Sequence, residues 1–94
     1  MSGHTYLLVR WKHLLADEPV ELWSELDTDR FEIRKVEVWA NGRHGCAGPD
    51  HEVGGTHLGI EPVPSLADIG LHPEFEPQVV SQAQFEQRWA AAVR

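Results

Sequence analysis

Charged side chains of both signs crowd the segment SELDTDRFEIRK, where Arg30, Arg34 and Lys35 stand among Glu25, Asp27, Asp29 and Glu32. A guanidinium can grip a carboxylate or phosphate with two parallel N–H donors, so Arg30 and Arg34 are the candidates for holding an anion. The plainer use of the same charges is mutual pairing across a turn, a solvated corner in which each pair contributes about 0–1 kcal/mol. A second candidate is the loop GGTHLG, where Gly54, Gly55 and Gly59 could turn backbone N–H groups toward an anion, with Thr56 and His57 adding donors. That loop lacks the Lys-Ser/Thr pair of a phosphate loop and forms no dinucleotide fingerprint. Its glycines read first as a turn.

His44 and Cys46 lie two apart, so a strand points both to one side, and Asp50, His51 and His57 follow closely. All are zinc-ligand types, but their spacing matches no established zinc arrangement and a single cysteine is a weak anchor. No metal and no cofactor is therefore expected. A nucleophile needs a base beside it and a third group to orient that base. Cys46 near His44 is the only such hint; there is no Gly-x-Ser-x-Gly elbow, and nothing selects one carboxylate pair among fifteen acids. No catalytic residue is assigned, and the reading leans away from an enzyme.

Trp23 is the odd residue, an aromatic between Glu21 and Glu25. Exposed, it is a natural anchor for a protein partner, because tryptophan is enriched at interface hot spots. It could equally lie under a helix, if the sheet is buried on both sides.

Ninety-four residues allow one domain, residues 1–94, and the four tryptophans supply much of its core mass. The formal net charge is −7, with eight acids between Asp17 and Glu37. Such a surface repels phosphate backbones and argues against nucleic acid; a basic protein is the partner it suits. The lone Cys46 permits no internal disulfide, which fits a reducing compartment. No apolar run is long enough for a signal peptide or a membrane span, so a cytoplasmic location and no membrane partner are expected.

The elements that must position these residues begin with TYLLVRWKH, which alternates as a half-buried strand. VELWSEL sets Val20, Leu22 and Leu26 against Glu21, Trp23 and Glu25. In RFEIRKVEVWANGR, Phe31 and Ile33 are out of phase with Val36 and Val38. A β-bulge at Arg34-Lys35 would turn all four inward. Asn41-Gly42 predicts a two-residue type I′ hairpin from Ala40 to Arg43. Ser65 caps a short helix ended by Gly70, and QVV forms a short edge strand. Ser81 with Gln84 caps a C-terminal helix whose Phe85, Trp89 and Ala92 face the sheet. Strands first and helices last give an α+β fold: an antiparallel sheet of four to five strands, with a short helix and a C-terminal helix packed on one face.

The ordered runs DEPVELWSELDTDRFEIRKVEVWANGR, GGTHLGIEPVPSLADI, PEFEP and SQAQFEQRW, from Tyr6 to Trp89, resemble an uncharacterised family of small bacterial domains of about this length. The resemblance implies a stand-alone bacterial protein with this β-rich layout. It brings no activity, cofactor or catalytic residue with it.

The expected function is thus non-catalytic: a small acidic protein that docks on another protein, an immunity-type inhibitor of a bacterial toxin being one concrete form. The alternative is a ligand-binding or enzymatic domain with an anion-holding pocket between the bulged strand and the Gly54–Gly59 loop, built on Arg30, Arg34, Thr56 and His57. Self-association stays open.

Overall fold

The computed structural model describes residues 3–93 and shows an α+β fold. Its strands are β1 (Thr5–Trp11), β2 (Glu21–Leu26), β3 (Glu32–Val38), β4 (His44–Gly48), β5 (His51–Val53) and β6 (Phe75–Val80). Two helices, α1 (Leu66–Ile69) and α2 (Gln82–Ala92), complete it. The sheet is antiparallel in the order β5-β4-β3-β2-β1-β6. It has one strand more than the largest count expected, because His51–Val53 pairs with β4 instead of remaining loop.

Hairpins explain most of the order, since each strand from β1 to β5 pairs with the next. Only β6 is non-local. It returns after a long crossover, residues 54–74, to the free side of β1, with Tyr6 opposite Val80 and Trp11 opposite Phe75. Pro77 is tolerated inside β6 because an edge strand has one side with no ladder to maintain.

β1 is central, and its burial departs from the half-buried strand expected of it: Tyr6, Leu7, Leu8 and Val9 are all buried. The reason is that both faces of the sheet are covered. On one face Tyr6, Leu8, Trp23, Val36, Cys46 and Val80 pack with Phe85 and Ala92 of α2. On the other, Leu7, Val9 and Leu26 pack with Leu66 and Ile69 of α1 and with Val63 and Phe75. The two helices therefore lie on opposite faces.

The caps form as their sequence predicts. Ser81 Oγ accepts the Gln84 backbone N–H at 3.0 Å while the Gln84 side chain accepts from the Ser81 backbone, a complete capping box. Ser65 Oγ accepts the Asp68 N–H. The β3–β4 hairpin differs from the type I′ turn expected. The Trp39 N–H donates to the Arg43 carbonyl and the Gly42 N–H to the Trp39 carbonyl, and of Asn41 and Gly42 only Gly42 has positive φ, 88°. This is the three-residue hairpin loop, a type I turn closed by a left-handed residue, which needs one glycine where type I′ needs two permissive positions.

Candidate functional site

The charge cluster of the β2–β3 corner is divided by a bulge. Glu25 pairs with Arg34 and Leu26 with Glu32, so Ile33 is the extra residue. The bulge falls just before the expected Arg34-Lys35, and that displacement decides where the charges go. Because cross-strand partners share a face, Arg34 joins Trp23, Glu25 and Val36 on the α2 face. Glu32 and Lys35 go to the opposite face with Leu22, Ser24 and Leu26. Phe31 does not turn inward and is partly exposed.

On the α2 face the charges are closed in. Arg34 donates from Nε to Glu25 Oε1 at 2.5 Å, and from Nη1 and Nη2 to the two oxygens of Glu86 at 3.0 and 2.7 Å. Its guanidinium lies 5.0 Å from the Phe85 ring centroid and 5.1 Å from that of Trp89. Glu25 also accepts from Tyr6 Oη at 3.1 Å and pairs with His4 at 2.8 Å. Burial by itself raises the Glu25 pKa, but the hydrogen bonds from Arg34, His4 and Tyr6 outweigh it and hold it below the usual carboxylate range. Glu86 is lowered by its hydrogen bonds to Arg34. Arg34 itself is raised, first by Glu86 and then, against burial, by Glu25. Arg34 does hold carboxylates in a fork, as its chemistry predicts, and both belong to this chain.

Arg30 is also engaged. It ends the Asp27–Arg30 turn with φ 68°, a left-handed conformation that costs a non-glycine residue about 1–2 kcal/mol. Asp27 Oδ1 accepts from the Asp29 and Phe31 N–H groups and fixes the turn. Arg30 Nε donates to the Val63 carbonyl at 2.8 Å and Nη2 to that of Pro64 at 2.7 Å, while the Val63 N–H donates to the Arg30 carbonyl. The arginine thus clamps the crossover over the face opposite α2.

The glycine loop seats on that same face. Gly54 and Gly55 both have positive φ, so they reverse the chain after β5. Thr56 then enters fully buried over Gly45, and its hydroxyl donates to Glu37 at 2.8 Å. A Cβ on Gly45 would come within 2.0 Å of Thr56 Oγ1, so only glycine leaves the seat open. His57 is exposed and pairs with Glu52 at 3.1 Å. The anion pocket expected from Arg30, Arg34, Thr56 and His57 is not assembled: Arg34 lies across the sheet from Arg30 and Thr56, and Arg30 and Thr56 are bonded to the fold itself.

A cleft does open nearby, between the sheet and the crossover. It encloses about 370 Å³, within the range of small-molecule sites. Leu7, Val9 and Leu22 form its apolar floor, and Val63, Ile69 and Phe75 its walls. Ser24, Glu32, Lys35, Asp68 and His72 supply the polar lining. None of these was singled out as a ligand-binding residue from sequence. The signal existed in the phase of β3, since a bulge at Ile33 puts Ser24, Glu32 and Lys35 on one face.

Trp23 is only 8% exposed. It lies beneath α2 with Arg88 over its ring, and its Nε1 donates to Glu21 at 2.9 Å. The exposed anchor is thus the wrong one of the two expectations. Cys46 is buried, and burial pushes its thiol pKa up, against the direction a nucleophilic thiolate needs. Among the described residues no group of three or more His, Cys, Asp or Glu side chains is placed to share a metal ion. No helix among them is long and apolar enough to cross a membrane.

Fold and site together define a two-faced α+β domain, with α2 and the Arg34–Glu25–Glu86 cluster on one face and α1, the crossover and the apolar-floored cleft on the other. The family follows: a family model described as a domain of unknown function, DUF6881, matches residues 5–94, so the chain belongs to that family. No curated protein and no solved structure matches it.

Proposed function

We propose that this chain is a non-catalytic binding module that docks on a protein with a basic surface. The distribution of charge supports the reading. Arg30 bonds to backbone carbonyls, Arg34 to Glu25 and Glu86 and Lys35 to Glu32, and Arg88 lies over Trp23, while Arg10, Lys12 and Arg43 stay exposed. Asp17, Glu18, Asp29, Asp50, Glu61 and Glu74 meanwhile face solvent. With a formal net charge of −7 and these acids exposed, the surface field is anionic, and such a field steers encounter with a cationic partner.

The observation that carries the proposal is the loop between β1 and β2. Leu14 is fully exposed and Leu15 more than half exposed, yet the loop is not slack. His13 Nε2 bonds the Pro19 carbonyl, the Leu15 N–H donates to His13 Nδ1, and the Glu18 N–H donates to the Leu15 carbonyl. An ordered loop that presents two leucines beside Asp17 and Glu18 has the apolar centre and polar rim of a docking tip. The anchor role considered for Trp23 passes to Leu14 and Leu15. An immunity-type inhibitor of a basic bacterial toxin, acting in the cytoplasm, is the concrete form we favour.

The test compares immobilised wild-type protein with the Leu14→Asp, Leu15→Asp variant as bait for extract of the source cell. Both side chains are exposed, so the variant should keep its melting temperature. We expect a basic protein retained by wild type, released by salt and not retained by the variant. Equal retention by both baits, or none by either, sinks the proposal. The absence of a toxin gene beside this one would remove the inhibitor form alone.

A further inference from the structure

We propose that the cleft between the sheet and the crossover binds a small organic amine: an apolar, ring-sized body carrying a protonated amino group. The inference is independent of protein docking. Its apolar part rests on the floor of Leu7, Val9 and Leu22 and the wall of Ile69 and Phe75.

The charge follows from the polar lining. Glu32 is the deep carboxylate, its side chain 7% exposed. Its Oε1 is well occupied, accepting from the Gly59 N–H at 2.6 Å with the Lys35 ammonium 3.5 Å away. Among the described residues its Oε2 has only the Ser24 hydroxyl at 3.4 Å, a long contact that leaves acceptor capacity at the cleft floor. Lys35, the one Lys or Arg side chain of a lining that also holds His72, is turned to Glu32 and to the His57 carbonyl at 3.4 Å. Asp68, exposed on α1, adds a second carboxylate with no ion-pair partner among the described residues. Two carboxylates against one committed ammonium make the cleft anionic, and an incoming ammonium would complete Glu32 Oε2. An anionic ligand would meet Glu32 and Asp68 and gain only a cation already in use. The arrangement selects the opposite charge from the anion pocket that the arginines suggested.

Three probes of one shape test this: tryptamine, the neutral alcohol tryptophol, and indole-3-propionate. Binding is read by calorimetry and by methyl chemical shifts in the full chain. Tryptamine should bind at least tenfold tighter than tryptophol, with indole-3-propionate weakest, and should shift Leu7, Leu22 and Ile69 methyls while leaving Val36 unmoved. Glu32→Gln keeps an acceptor for the Gly59 N–H and removes the charge. It should erase the preference for tryptamine without lowering the melting temperature by more than a few degrees. If Glu32→Gln does not fold, Asp68→Asn, on an exposed position, should still reduce tryptamine affinity severalfold. No binding by any probe, equal binding by all three, or shifts confined to the α2 face would overturn the proposal.

Discussion

The two faces of the sheet treat one charge cluster in opposite ways. On the α2 face, Arg34 is held by Glu25 and by Glu86 of α2 and lies against Phe85 and Trp89 of the same helix. On the crossover face, Lys35 meets Glu32 at 3.5 Å beside an open cleft. Neighbouring residues of β3 differ this much because the strand alternates and Ile33 resets its phase. The two pairs are equally buried, Arg34 and Lys35 at 18% exposure and Glu25 and Glu32 at 8% and 7%, so bond geometry separates them. Arg34 grips two carboxylates through three short hydrogen bonds, whereas Lys35 makes one long contact to Glu32 and leaves acceptor capacity on its Oε2.

The largest expected effect is therefore at Arg34. Arg34→Met keeps much of the stem packing but leaves Glu25 buried without its guanidinium. Removing one member of a buried pair costs about 3–5 kcal/mol, and urea denaturation should show a loss of that size. Replacing Glu25, Arg34 and Glu86 together by apolar residues should recover most of it. A small loss for Arg34→Met alone would break the comparison, because it would mean that water already reaches Glu25.

The next effect belongs to the seat of the glycine loop. Gly45→Ala puts a methyl within 2.0 Å of Thr56 Oγ1 and 3.1 Å of the Val53 carbonyl. Overpacking of this kind costs about 1–3 kcal/mol, read as a lower urea midpoint. Adding Thr56→Ala should restore part of the loss, since it removes the hydroxyl but not the carbonyl. No rescue would mean that the backbone, not Thr56, sets the fit.

Much of the fold was legible because its signals are local. The Ser81-Gln84 capping box, the Phe85/Trp89/Ala92 stripe and the paired strands from β1 to β4 depend on residues close in sequence. What could not be read depends on distant partners. Whether Trp23 is exposed is decided by α2, some sixty residues later in the chain, and whether Arg30 holds a ligand is decided by the carbonyls of Val63 and Pro64. The bulge was legible in kind, from the phase conflict in β3, but its place was not. Two sites relieve that conflict, and only Ile33 lets Arg34 reach Glu25 and α2. The candidate site was misread for the same reason, since a shift within one strand exchanges which charges share a face.

A smaller effect separates the faces by pH. Glu25 and Glu86 both titrate below the usual range in the folded protein, so over that window the unfolded chain binds more protons. Their contribution is complete above the ordinary glutamate value of about 4.3 and is lost as pH falls through the lowered folded values. Glu86→Gln should flatten part of this acid loss in melting-temperature measurements. Its share is on the order of 1 kcal/mol or less, because Glu86 keeps 44% of its side chain in solvent and water screens the pair. An unchanged acid slope would assign the effect to Glu25 alone.

The smallest effect is expected from Lys35→Met. Glu32 then keeps the Gly59 N–H and the Ser24 hydroxyl, and the ion pair removed is long and borders an open cleft. A loss of about 0.5 kcal/mol, the low end for one hydrogen bond, follows because the contact is long and single and Glu32 keeps two other donors. The measurement is the same urea midpoint used for Arg34→Met, so the two numbers compare the faces directly. A Lys35→Met loss approaching that of Arg34→Met would show that burial of the carboxylate, which the two pairs share, outweighs the number and length of its bonds. The asymmetry between the two pairs would then disappear.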